Sequence, residues 1–166
     1  MNDSINEWVS ATKTRNYINQ DPILDWFELY GDKNGFQRDT AVPKYDANLD
    51  FVQLLFRKGN EFEKVVVEYL MKKFPSDKFV TVAQNYKDSR DAKKQDETLQ
   101  HMKNGVPFIL QGVLRNPDNK TYGMPDIMVR SDYISKIPET QEDKDFKFLD
   151  TPALGQNFHY RIIDVK

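Results

Sequence analysis

A chain of 166 residues with 39% hydrophobic and 13% aromatic side chains can bury a core of its own, and its 30% charged residues mix both signs, so disorder is excluded. With no cysteine it can form no disulfide, iron–sulfur cluster or thiolate zinc site in this stretch, and a net charge of -2 argues against a general nucleic-acid coat protein while allowing a local basic groove. No apolar run reaches membrane-spanning length and Met1-Asn2-Asp3-Ser4 is polar, unlike a secretory signal, so an intracellular chain with no membrane partner is the expectation.

Residues 8–20 contain a short amphipathic segment that predicts a helix from Ser10 or Thr12. A clearer helix follows. Asp21 suits its N-cap, Pro22 its first position and Gly31 the position past its end. Ile23, Leu24, Trp26, Phe27 and Tyr30 lie between, and with Trp8 these aromatics are expected in the core rather than stacked on bases. Residues 31–47 read as a loop. Residues 49–74 predict one long helix or two abutting ones, with Gly59 as the candidate break and Pro75 as the stop. Lys78 to Gln84 predicts a strand, and the polar run 87–104 predicts an exposed helix ending at Gly105. Val106 to Leu114 and Gly123 to Arg130 predict a hairpin around the turn Asn116-Pro117-Asp118-Asn119. After a long connection over 131–156, Asn157 to Lys166 predicts a final strand. The expected organisation is a helical N-terminal segment, 1–48, packed on a core of 49–166.

Three places in this pattern carry chemistry. On a helical wheel, Phe62, Val66, Val67, Leu70 and Phe74 share one arc, and Glu63 falls near its middle. Glu61, Lys64, Glu68 and Lys72 fall on the opposite, solvated arc. A carboxylate that points inward needs a proton, a partner or a metal; pairing with a core arginine or capping a neighbour would also satisfy it. Asp126 follows Pro125 at the head of an apolar strand, where aspartate is a poor strand former; a plain turn residue is the alternative. Tyr160, Ile162, Asp164 and Lys166 are spaced by two and share one strand face, so an acid and an ammonium project together; a surface ion pair is the alternative. His101 lies in a polar segment and His159 on the other strand face, and neither has a nucleophile or ligand partner in the spacing.

Taken in order, Gly59-Asn60-Glu61-Phe62-Glu63, Gly123-Met124-Pro125-Asp126 and Ile163-Asp164-Val165-Lys166 resemble the motifs of the PD-(D/E)XK nuclease superfamily, over residues 51–166. Within it the chain looks like the RecB-like exonucleases, including CRISPR-associated and phage recombination enzymes. Its opening Ser10-Ala11-Thr12 with Asp21-Pro22 and Asp25-Trp26 is similar to RecB-like nucleases of giant viruses, one of them from a virophage-resistance system. The resemblance implies an α/β (α+β) fold: a restriction-endonuclease-like core with a mixed central sheet flanked by helices, and a helical N-terminal extension. It implies a Mg²⁺- or Mn²⁺-dependent nuclease acting on DNA ends. Asp126 and Asp164 would be the main metal ligands, the Val165 carbonyl would assist, and Glu63 would hold a water or a second ion. Lys166 would orient the attacking water, while Arg57, Lys58 and Gln111 are candidates for substrate contact. A non-catalytic binding module and an RNA endonuclease of the cap-snatching type share the same core and stay open.

Two departures matter. The CRISPR branch often carries a cysteine-held iron–sulfur cluster, for which this chain has no ligands. The family core also continues past its lysine with a helix and a strand, so the resemblance implies further chain after Lys166, or a partner or second copy in its place.

Overall fold

The computed structural model describes residues 8–36, 51–137, 151 and 153–165. Within them the chain is an α+β protein with mixed sheets flanked by helices. The elements run β1 (Val9–Ser10), α1 (Thr14–Ile18), α2 (Pro22–Trp26), α3 (Phe51–Lys73), β2 (Phe79–Thr81), α4 (Ala92–Lys103), β3 (Phe108–Leu110), β4 (Leu114–Asn116), β5 (Thr121–Gly123), β6 (Ile127–Arg130), α5 (Ser131–Ile134) and β7 (Tyr160–Ile163). One sheet has the order β2-β3-β6-β7, parallel between its first two strands and antiparallel after that. The other has the order β1-β5-β4.

The opening segment is only partly the helix its pattern predicts. Val9 and Ser10 pair in parallel with Thr121 and Tyr122, and the helix starts at Thr14. The edge of β5 satisfies the Val9 and Ala11 N–H groups on the Lys120 and Tyr122 carbonyls, each at 2.8 Å, which a helix start would leave open. Trp8 is buried as expected, with the Arg115 guanidinium 4.0 Å from its ring centroid. Gly31 does not end the second helix. The chain widens into a π turn over Phe27–Gly31, and the left-handed residue that stops the run is Gly35, at φ 80°. Trp26, Phe27 and Tyr30 are not core residues: they are 41%, 44% and 49% exposed, and the first two pack edge-to-face with Phe36. The apolar stripe of this segment finds its partners within its own turns.

α3 is one helix of 23 residues, unbroken at Gly59 and finished before Pro75. Val66, Val67, Leu70 and Phe74 pack with Phe108, Leu110, Ile127, Val129 and Ile134 in the larger core cluster. Phe62, expected on that arc, is half exposed. Length is the reason. A helix of 23 residues spans about 35 Å, whereas strands of three or four residues span about 10–13 Å, so only part of α3 lies over the sheet.

The polar run after β2 is two pieces, a tight turn over Tyr86–Arg90 and then α4. Asp91 caps α4 by accepting the Lys93 N–H at 2.9 Å, and Gly105 ends it at φ 70°. A Cβ at Gly105 would lie 3.1 Å from Arg130 Nη1 and 3.2 Å from Phe158 Cζ, so a larger residue would be strained by its φ and would need both side chains to give way by a few tenths of an ångström. α4 is not simply exposed, because Thr98 on its inner side is fully buried. The Thr98 hydroxyl donates to the Lys94 carbonyl at 2.8 Å and accepts the Val113 N–H at 2.9 Å. Thr98→Val keeps the shape and leaves the Val113 N–H buried without its acceptor. A loss of about 1–3 kcal/mol in urea unfolding is expected; an unchanged midpoint would reject this role.

The predicted hairpin forms, but neither of its strands is continuous. β3 pairs with β6 in one sheet and β4 pairs with β5 in the other. The chain crosses between sheets at residues 111–113 and again at 124–126. Gln111, at φ 50°, leaves the extended region on one side, and Pro125 on the other has no N–H to give to a ladder. The last strand covers only Tyr160–Ile163 of the segment predicted. Lys166 lies outside the described residues, as does most of the predicted loop up to residue 47. Among the described residues no helix is long and apolar enough to cross a membrane.

Candidate active site

Ile127, the first residue of β6, pairs with Leu110 on one side and with Ile163 on the other. β6 is antiparallel to both neighbours. The residue before Ile127 and the residues after Leu110 and Ile163 therefore emerge at the same end of the sheet. Those residues are Asp126, Gln111 and Asp164. α3 brings Glu63 to this end, where Gln111 Nε2 donates a hydrogen bond to Glu63 Oε1. The Gln111 backbone N–H donates to the Asp126 carbonyl at 2.9 Å. The Val165 N–H donates to Asp126 Oδ2, also at 2.9 Å, and so ties the tail of β7 to the head of β6.

The electrostatics follow from this convergence. Burial pushes the Glu63 carboxyl above the usual range, the Asp126 charge raises it further, and the Gln111 amide and Lys64 act in the opposite direction. Asp126 is also raised, first by burial. The Val165 N–H opposes that shift, and Asp164 adds to it through its charge and through a hydrogen bond between the two carboxyls. Asp126 is thus the middle member of the acidic group.

Both raised acids hold a proton more tightly in the folded chain than in the unfolded one. Between the ordinary carboxylate range and these raised values the folded state binds more protons, so their contribution to stability falls as pH rises. In EDTA, the wild-type chain is expected to lose stability across that window relative to Asp126→Asn. Urea midpoints taken from about pH 4 to pH 8 check this, and parallel profiles for the two chains would reject it.

The two glutamates of the α3 motif are in different surroundings. Glu63 is half-buried, while Glu61 is exposed and pairs with Lys58 Nζ at 2.7 Å and Arg57 Nε at 4.0 Å. Arg57 and Lys58 thus face an acid one turn along their own helix. A different cation stands at the site. Lys64 lines an open depression of about 260 Å³ together with Glu63, Val67, Glu68, Thr81, Leu110 and Gln111. The helical wheel puts Lys64 and Glu68 on the solvated arc, and both are exposed, bordering this depression. Gln111 was legible as a candidate contact, whereas its bond to Glu63 depends on a helix 48 residues away in sequence.

Whether these residues suit a divalent cation can be judged from their donors. Glu63, Asp126 and Asp164 supply hard carboxylate oxygens, and two of the three are destabilised as anions by burial and by one another. A hard divalent cation relieves both effects, so the donor chemistry fits. The spacing is open: among the described residues no three acidic or histidine side chains are grouped closely enough to hold a metal ion. No family model, no curated protein and no solved structure matches this chain.

Proposed function

We propose that this chain is a metal-dependent nuclease of RecB-like exonuclease type, with a restriction-endonuclease-like core, hydrolysing phosphodiester bonds in DNA. The observation that supports the reading most is the meeting of Glu63, Gln111, Asp126 and Asp164 at one end of a mixed sheet. Asp126 and Asp164, with the Val165 carbonyl, would hold Mg²⁺ or Mn²⁺, and Glu63 would join them from α3. When bound, the cation would offset charge developing on the phosphate and lower the pKa of water. The chain's own groups do the rest. The Val165 N–H fixes one oxygen of Asp126, so the carboxylate enters the site in one orientation. Lys64, at the rim of the depression, offers a positive charge to a phosphate. Lys166, by resemblance, would orient the attacking water. Arg57 and Lys58 would reach the substrate by exchanging Glu61 for phosphate.

A second reading, a nucleic-acid-binding module that does not cut, is favoured by the open spacing of the acids. The two are separated by incubating the chain with linear and circular, single- and double-stranded DNA and with RNA, in Mn²⁺ and in EDTA. The nuclease reading expects Mn²⁺-dependent cleavage of DNA that Asp126→Asn and Asp164→Asn abolish. Cleavage that survives either substitution or EDTA defeats it, and binding without cleavage favours the module.

A further inference from the structure

Gln111, a long unbranched residue, stands at φ 50°, as Gln20 and Lys120 do at φ 55° and 53°, but of the three it is the one at the candidate site. Left-handed backbone at such a residue is strained and persists only where its surroundings over-determine it. Here they do. The Gln111 N–H donates to the Asp126 carbonyl at 2.9 Å, and the Ala83 N–H donates to the Gln111 carbonyl at 3.1 Å. The next residue, Gly112, is pressed against the core: a Cβ there would fall 2.6 Å from Met128 Sδ and 3.3 Å from Thr98 Cγ2. The residue after that is held by the buried Thr98 hydroxyl. Three consecutive residues are thus pinned, and the result aims one primary amide at the Glu63 carboxyl. Gln111 Nε2 donates to Glu63 Oε1, while its backbone N–H holds the Asp126 carbonyl.

We propose that Gln111 is a positioning residue, whose amide holds the Glu63 carboxylate while its backbone N–H anchors Asp126, so that the two acids face a divalent cation in one arrangement. This rests on the nuclease reading, and it differs from a role in contacting substrate. A substrate contact would use the amide directly on the ligand, whereas this amide donates to the protein's own Glu63. Without it, Glu63 would be free to turn away from Asp126, and a bound cation would have to bring the two acids back together.

The test uses the full chain and Mn²⁺ alone, with no nucleic acid present. Gln111→Met keeps the length and removes both donors; Gln111→Gly removes the side chain and relieves the left-handed backbone. Titration calorimetry is expected to show Mn²⁺ binding weakened about 10–100-fold in both, as for other groups that orient metal ligands. Gln111→Gly is expected to keep a wild-type or higher melting temperature, so that the loss is not one of folding. Unchanged Mn²⁺ affinity in either variant overturns the proposal. A rise in KM for DNA with unaltered Mn²⁺ affinity also overturns it, and makes Gln111 a substrate contact. A wild-type chain that takes up no Mn²⁺ overturns the nuclease reading itself, and this proposal with it.

Discussion

Asp126→Asn is expected to lower Mn²⁺-dependent cleavage about 10²–10³-fold, the loss of several kcal/mol of charge stabilisation, with no loss of folding. The asparagine carbonyl can still accept the Val165 N–H, so the tie between β6 and β7 survives. What disappears is the negative charge in the middle of the acidic group, where Asp126 raises Glu63 and is itself raised by Asp164. Its removal relieves repulsion: two carboxylates about 4 Å apart repel by about 4 kcal/mol at an effective dielectric of 20, an upper scale for partly exposed groups. The melting temperature in EDTA near neutral pH is therefore expected to hold or rise while activity is lost. Asp126→Ala should lose activity equally, but also some stability, since it leaves the Val165 N–H without its acceptor. Single-turnover cleavage rates beside thermal melts of the three chains decide the matter. A variant that is inactive only because it is unfolded would refute the assignment.

Phe108→Ala is expected to destabilise the chain by about 3–5 kcal/mol, a large share of the 5–15 kcal/mol typical of a domain. Phe108 is fully buried in the middle strand pair of the four-stranded sheet. Its ring centroid lies 4.8 Å from that of Phe74 directly after α3, 4.7 Å from that of Phe79 on β2 and 5.6 Å from that of Tyr133 on α5. Four elements thus meet on one side chain, and truncation would leave a cavity that none of them can fill without leaving the others. The same packing holds α3 over the sheet and so keeps Glu63 near Gln111. Urea unfolding should show a lower midpoint with an unchanged slope. A loss under about 1 kcal/mol would mean that the site is held by something other than this core.

Much of the site is written in short-range pattern. The wheel that separates Glu63 from Glu61 depends only on helical period, and their surroundings differ accordingly: one half-buried beside Gln111, the other exposed in an ion pair. Asp126 stands directly before an apolar strand, as Pro125 and the run from Ile127 imply. The period-of-two argument for Asp164 is less secure than it looks, because β7 ends at Ile163 and the alternation has no ladder to carry it further. Asp164 comes near Asp126 through register, not through strand face.

By itself, then, the sequence determined the α3 helix, its stop at Pro75, the end of the helix before Gly105, and the turn between β4 and β5. These rest on backbone sterics and on side chains a few residues apart, which are local properties. Only the tertiary structure decided that the predicted hairpin divides between two sheets, that the opening segment begins as a strand on β5, and that Trp26, Phe27 and Tyr30 stay outside the core. Each depends on which edge or face another element leaves open, and no local pattern encodes that. The same holds for Gln111. Its type suggests a hydrogen bond, but the partner that claims its amide, Glu63, arrives from a distant helix once the sheet is built.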